Sequence, residues 1–149
     1  MDGATTADEL ALLHLIARLA HAIDDRDEAA YRNCFAPALE QWREGKNDGW
    51  EEITAVDYAR NSVASVAGLD WTHHQVMSPI VTVDGDRASA CTDIVVLAHA
   101  LGETVTIGGR YALEFARLGG EWRVTRRRRI TRYVLGDPTV IARAQQASG

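Results

Sequence analysis

The sequence predicts an α+β fold in which a cone-shaped, curved antiparallel sheet packs on three N-terminal helices and encloses a pocket. Three observations predict it. First, helical periodicity dominates residues 6–68. Second, from residue 71 the sequence consists of alternating, β-branched segments that are separated by turn signals. Third, these segments are about 10 to 14 residues long, whereas strands usually have about 5 to 6. Strands of that length twist and coil, which leaves a cone with an open mouth. Because no repeat or linker divides the sequence, we expect one domain over residues 1–149.

The first two helices are predicted from capping signals and apolar spacing. Thr6 and Glu9 form a capping box, and an apolar stripe follows that should end near Asp24. The stripe consists of Leu12, Leu15, Ile16, Leu19 and Ile23. Asp27 can cap a second, short helix over residues 28–35, which Pro37 ends.

The third helix is predicted from a second capping box. Thr54 and Asp57 open it, Gly68 ends it, and Val56, Ala59, Val63 and Val66 share one face. Before it, residues 39–43 can form a short strand that leads into a polar loop.

The remaining residues predict a meander of four antiparallel strands. Residues 83–87 are a hairpin signal, and further turns fall at residues 101–103 and at Gly119-Gly120. The strands between them cover residues 71–83, 88–100, 104–118 and 121–134. Residues 140–146 can add a short terminal helix after Pro138, acting as a lid over the mouth or fraying.

The composition excludes several classes of protein. It is 46% hydrophobic and 25% charged, as in soluble globular proteins, and the net charge of −5 argues against a nucleic-acid partner despite the basic run at residues 126–129. The first six residues show no signal-peptide pattern, and no apolar run in the sequence reaches the roughly 18 residues of a membrane span, so we expect a cytoplasmic protein without a membrane partner. Cys34 and Cys91 lack metal-ligand or disulfide-framework spacing, and we expect both to be reduced.

Two acid–base residues stand out. Asp24 directly follows Ile23 and lies one helical turn beyond Ala20, which places a carboxylate at the rim of the core. A neighbouring imidazole would hold it ionised there. His74 stands where the first long strand begins, and an imidazole oriented by a carboxylate can abstract a carbon-bound proton.

The chain resembles a known family in this region. The segments at residues 21–27 and 35–39 look like the first-helix region of scytalone dehydratase, and the later order of Thr72-x-His74 before a long strand and His99 on the next strand is similar. The resemblance implies the cone of the nuclear transport factor 2-like superfamily, in its SnoaL-like branch, which also holds polyketide cyclases, steroid isomerases and hexachlorocyclohexane dehydrochlorinase.

The resemblance also implies site residues. Asp24 and His74 match the catalytic dyad of the dehydratase and the dehydrochlorinase, and His99 matches a second active-site histidine of the dehydratase. Arg127 matches an arginine that lines the dehydrochlorinase pocket, and Tyr111 stands where the dehydratase has an asparagine.

Departures from the family pattern bear on the substrate. Ile23 and Arg43 replace two tyrosines that polarise the substrate carbonyl in the dehydratase, so scytalone itself is not expected to be the substrate. We expect Ile23, Trp42, Tyr111 and Arg127 to contact substrate.

These observations favour a cofactor-independent, metal-free lyase or isomerase, a dehydratase for preference, acting on a small, largely apolar cyclic or polyketide-like molecule. One alternative is a non-catalytic binding or assembly module on the same fold. The other is an epoxide hydrolase or cyclase, for which Asp93 could supply a second carboxylate. Because the outer face of such a sheet needs cover, and by analogy with the resembled enzymes, we expect a homo-oligomer, a trimer or a dimer.

Overall fold

The computed structural model describes residues 3–149 and contains four helices and six strands. The helices are α1 (Gly3–Asp24), α2 (Glu28–Arg32), α3 (Ala55–Val66) and α4 (Thr139–Ala147). The strands are β1 (Phe35–Trp42), β2 (Glu51–Thr54), β3 (Trp71–Asp84), β4 (Arg87–Ala100), β5 (Glu103–Leu118) and β6 (Glu121–Leu135). The predicted α+β class is therefore confirmed.

The predicted meander of four antiparallel strands is confirmed in β3 to β6, and β1 and β2 extend it into a mixed sheet of six strands. Its order is β2-β1-β6-β5-β4-β3, with β1 parallel to β6 and all other neighbours antiparallel. Strand β2 follows the predicted polar loop and was not predicted, because its two glutamates leave no apolar alternation. Strand β1 begins at Phe35 and runs through Pro37, which sits where the pairing with β6 is interrupted between Phe35 and Glu40. Proline is tolerated at such an interruption because no ladder hydrogen bond needs its missing N–H.

Irregular pairing accompanies the curvature of the sheet. Register shifts occur between Met77 and Ile80 of β3 and at two places between β5 and β6, next to Gly109 and Phe115. Such bulges bend a strand and increase its twist. Helix α1 packs against β3, and an apolar core lies between the helices and the sheet. We call this side of the sheet the cavity face and the other side the outer face.

The helix boundaries differ from prediction in two ways and agree with it in a third. Helix α1 begins at Gly3, so Thr6 lies inside the helix and the predicted capping box is wrong. Helix α2 stops at Arg32, although Asp27 caps it as predicted by accepting from the Ala30 amide. Helix α3 has the predicted Thr54 cap.

The buried face of α3 matches the predicted one in part, because Ala59 is buried and Val63 and Val66 pack against the core. It buries Ala55, Tyr58 and Ala59, whereas Val56 is exposed.

Helix α4 closes one end of the domain. Val140 and Ala144 are buried in a second core cluster with Leu69, Ala98 and Val105. The terminal helix is therefore packed rather than frayed, and its residues do not line the cavity described below.

The outer face carries exposed apolar side chains, among them Trp71, Met77 and Tyr133. The predicted self-association stays a prediction. Within residues 3–149, no helix is long and apolar enough to cross a membrane.

Candidate active site

Asp24 is the last residue of α1, and the chain reversal that follows fixes its position. Arg26 adopts φ +54°, and the amides of Arg26 and Asp27 return to the carbonyls of Ile23 and Ala22. This is a Schellman-type ending with a non-glycine residue in the left-handed conformation. The Arg26 guanidinium donates to the Asp24 carbonyl at 3.3 Å and to the Val66 and Leu69 carbonyls at 3.0 and 2.8 Å. Arg26 thus joins the ends of α1 and α3 and holds the carboxylate in place.

The Asp24 carboxylate receives three hydrogen bonds from β3. Its Oδ1 accepts from the Thr72 hydroxyl at 2.9 Å and lies 2.6 Å from Nδ1 of His74, while Oδ2 accepts from the His74 amide at 2.8 Å. The amide is free to do so because β3 is an edge strand of the sheet. Side chains two residues apart on a strand share a face, which is why both Thr72 and His74 reach Asp24.

The protonation of this pair follows from its contacts. Burial raises the pKa of the Asp24 carboxyl, but the bonds from the His74 ring and amide and from Thr72 outweigh it, and the pKa lies below its usual value. Because an ionised carboxylate only accepts, Nδ1 of His74 carries the proton that it shares with Asp24. The other ring nitrogen, Nε2, has no hydrogen-bond partner among residues 3–149. In the neutral form of the ring, this orientation leaves Nε2 as the basic nitrogen.

A cavity lies beside His74, between α1 and α2 on one side and the sheet on the other. Its polar lining comes from His74, Tyr31, Tyr111 and Arg127. The apolar lining consists of Ile16, Leu19, Ala20, Ile23, Val76, Ile94 and Leu113. A largely apolar wall with a few converging polar groups is typical of small-molecule sites.

The cavity is narrow. It holds about 380 Å³ of empty space, its open mouth included, but only about 30 Å³ of this admits the centre of a water molecule. That is enough for a few water molecules. A ring-sized molecule therefore enters only if lining side chains shift.

Arg127 faces the dyad's cavity from β6 and sits among tyrosines. Its cross-strand neighbour on β5 is Leu113, and its Nη1 donates a hydrogen bond to the Tyr58 hydroxyl. Its guanidinium carbon lies 4.2 Å from the centre of the Tyr111 ring. Burial acts to lower the pKa of Arg127, but the tyrosines, Tyr111 foremost, outweigh it and raise the pKa above its usual value, so the guanidinium stays charged.

Two predicted site residues lie elsewhere. His99 is on the outer face, because Ile94 and Val96 of the same strand point to the cavity side and side chains alternate. Its ring stacks on Trp71 at 5.2 Å, and its Nδ1 is 2.7 Å from the Thr104 hydroxyl.

Trp42 is also on the outer face. Its neighbour Gln41 points inward, whereas Trp42 lies under the Arg128 guanidinium at 4.1 Å and against Trp50. The structure thus brings Asp24, His74, Ile23, Tyr111 and Arg127 to the cavity and leaves His99 and Trp42 outside it.

Two tyrosines of this site were not predicted. Tyr31 lies in the cavity wall, stacked on Tyr58 at 6.0 Å, and Tyr58 bonds Arg127. Burial raises the pKa of Tyr31 well above its usual value, so this hydroxyl stays protonated. The spacing of Ala55, Tyr58 and Ala59 at i, i+3 and i+4 is a signal that could have revealed the buried face of α3.

The second carboxylate that an epoxide hydrolase or cyclase would need does not come from Asp93. Asp93 lies on the outer face and pairs with Arg110 at 3.0 Å, so it adds no second carboxylate to the cavity. In the described part of the chain, no group of three or more His, Cys, Asp or Glu residues is placed to hold a metal ion.

Comparison with known proteins agrees with this architecture. A family profile described as SnoaL-like domain matches residues 4–128. No curated protein matches the chain significantly by sequence.

Solved structures give the fold. A candidate scytalone dehydratase from Novosphingobium aromaticivorans is 13% identical with a TM-score of 0.80, covering 92% of each chain. The hexachlorocyclohexane dehydrochlorinase LinA-type3 from Novosphingobium barchaimii is 17% identical with a TM-score of 0.77, covering 90% of this chain and 92% of the other. An NTF2-like protein with a cystatin-like fold from N. aromaticivorans is 23% identical with a TM-score of 0.68, covering 97% and 96%. The chain belongs to the SnoaL-like domain family and has the nuclear transport factor 2-like fold.

Proposed function

We propose that this protein is a cofactor-independent lyase or isomerase, a dehydratase for preference, that acts on a small, largely apolar cyclic or polyketide-like substrate. One observation carries the proposal: the carboxylate of Asp24 lies 2.6 Å from Nδ1 of His74, and His74 lines a cavity. Two structural relatives are named for eliminations, of hydrogen chloride and of water. Their shared fold supports this reaction class without identifying the substrate.

The reaction begins with proton abstraction. Nε2 of His74 takes a proton from the carbon next to a substrate carbonyl, and the C–H electron pair forms an enolate. Asp24 stabilises the imidazolium that results, as an orienting carboxylate does in a catalytic triad. Tyr111 and Arg127 face the same cavity and stabilise the negative charge that develops on the substrate.

The second half of the reaction decides its outcome. In a dehydration the enolate re-forms the carbonyl, a carbon–carbon double bond forms, and the β-hydroxyl leaves as water with the proton from the imidazolium. In an isomerisation the imidazolium returns the proton to another carbon. Both outcomes restore the starting state of Asp24 and His74, so neither consumes a cofactor.

The alternative of a non-catalytic binding module is favoured by one observation, the narrowness of the cavity. That function needs no base, so it predicts no proton transfer even when a ligand enters.

Proton exchange separates these two functions. The probe is 3-hydroxycyclohexanone in D₂O: replacement of its C2 hydrogens by deuterium, followed by NMR, reports abstraction, and cyclohex-2-enone reports loss of water. We expect exchange with the wild-type protein and a loss of about a thousandfold in His74→Asn. His73→Asn is the matched control because His73 is exposed on the same strand and faces away from the cavity. Exchange that is absent, or that survives unchanged in His74→Asn, contradicts the proposal.

A further inference from the structure

Arg127 is a cation in the cavity wall without a carboxylate partner. Its contacts are the Tyr58 hydroxyl and the rings of Tyr111 and Tyr58, at 4.2 and 5.9 Å. Within residues 3–149, no carboxylate lies within 4.0 Å of its guanidinium. By contrast, the neighbouring Arg126 has Glu40 and Glu114 within 3.3 and 3.6 Å on the outer face.

Asp24 does not compensate this charge. Both of its oxygens are occupied by Thr72 and His74, and it forms no ion pair with Arg127. The wall of the cavity therefore presents a guanidinium to empty space, in a chain whose net charge is −5.

A guanidinium in a poorly solvated, largely apolar cavity has lost part of its hydration. The tyrosine contacts replace only part of the stabilisation that water would give to its charge. Arginine holds a planar fork of N–H donors whose geometry matches two carboxylate oxygens. The arrangement is therefore complementary to a permanent anionic group of the bound molecule. Negative charge that develops only briefly during a reaction would not require it.

We propose that Arg127, with Tyr111 and Tyr31, forms an anion subsite, and that the natural substrate is a cyclic or polyketide-like acid whose carboxylate binds there. That the bound acid is a substrate which reacts at His74 rests on the proposed function, whereas binding of an anion at Arg127 does not. Its carboxylate would anchor one end of the molecule, while the carbon to be deprotonated faces His74 across the cavity.

Binding of a matched pair of probes tests this. Benzoate and benzamide have nearly the same shape and differ in charge, and titration calorimetry at neutral pH gives both dissociation constants. We expect benzoate to bind at least about tenfold more tightly to the wild-type protein. Arg127→Gln should remove the difference, whereas Arg126→Gln, the matched control on the outer face of the same strand, should retain it.

A second measurement avoids variants. At equal occupancy of the cavity, the guanidinium N–H resonances of Arg127 in the wild-type protein should shift more with benzoate than with benzamide, because only the carboxylate forms a charge-assisted hydrogen bond. This keeps the test decisive if Arg127→Gln does not fold.

The two proposals fail separately. His74→Asn should keep the preference for benzoate while losing proton exchange. Equal affinity for the two probes, no binding of benzoate, or a preference that survives in Arg127→Gln would overturn the subsite. It would then follow that Arg127 acts only on charge that develops during a reaction of a neutral substrate.

Discussion

The two faces of the sheet use the same residue types differently. On the cavity face, Nδ1 of His74 is engaged by Asp24 and Nε2 is left free beside empty space. On the outer face, His99 is stacked on Trp71, bonded to Thr104 through Nδ1, and has Asp70 3.9 Å from Nε2. His99 therefore has contacts at both ring nitrogens, whereas His74 keeps one ring nitrogen free, as the proposed function requires.

The arginines of β6 repeat this contrast. Arg126 and Arg128 stack on Trp50 and Trp42 at 3.9 and 4.1 Å, which places two cations over two aromatic rings on the outer face. Arg127 points the other way and meets tyrosines instead of carboxylates. Strand alternation thus separates surface cations from a cavity cation within three successive residues.

The largest expected effect comes from removing the orienting carboxylate. Asp24→Asn keeps the shape of the side chain, but its one oxygen cannot accept hydrogen bonds from both Nδ1 and the backbone amide of His74. His74 therefore loses its counter-ion and the contact that fixes its tautomer. We expect proton exchange of 3-hydroxycyclohexanone to fall by about 10²- to 10⁴-fold. His99→Asn should stay within about twofold of wild type. A comparable loss in both variants would mean that the two faces do not differ in function.

A smaller effect is expected at the residue that positions Asp24. Arg26→Ala removes three hydrogen bonds to carbonyls at the ends of α1 and α3. We expect the free energy of unfolding to fall by about 2 to 4 kcal/mol and exchange to fall by about tenfold, measured by urea denaturation and NMR. Arg60→Ala is the control, because Arg60 forms one exposed ion pair with Asp57 and should cost less than about 0.5 kcal/mol. Unchanged exchange in folded Arg26→Ala would remove its positioning role.

The smallest effect concerns acid stability. Because the pKa of Asp24 is lowered in the folded state, its contribution to stability is present above the unfolded-state pKa of about 3.9 and is lost as the pH falls below that value. The difference in unfolding free energy between wild type and Asp24→Asn should therefore shrink as the pH falls below about 4. Asp25→Asn, at the exposed neighbour, is the control. A difference that is constant with pH would contradict the lowered pKa.

The sequence predicts the fold well where local signals are strong. Four long strands are delimited by glycine-containing turns, and the observed β3 to β6 match them to within about one residue. The short β2, Glu51–Thr54, carries one apolar residue and no alternation, so it could be found only from its pairing with β1. The parallel pairing of β1 with β6 is equally invisible because it joins distant parts of the chain.

The site is predictable where burial is one-sided and not where both faces are apolar. His74 could be assigned to the cavity face because it shares a face with Thr72 and Val76, while the residues between them are exposed. Strand β4 carries apolar side chains on both faces. Val95 and Leu97 share a face with His99, but their apolar character does not show whether that face is the cavity face or the outer face. Tyr31 and Tyr58 come from two helices and meet only in the folded chain.

The most direct test of the account is the protonation of the two ring nitrogens of His74, read by ¹⁵N NMR at neutral pH. We expect the neutral ring to carry its hydrogen on Nδ1 and to leave Nε2 unprotonated, and we expect this tautomer preference to be lost in Asp24→Asn. The opposite tautomer of the neutral ring would contradict the claim that Asp24 orients His74 as a base facing the cavity.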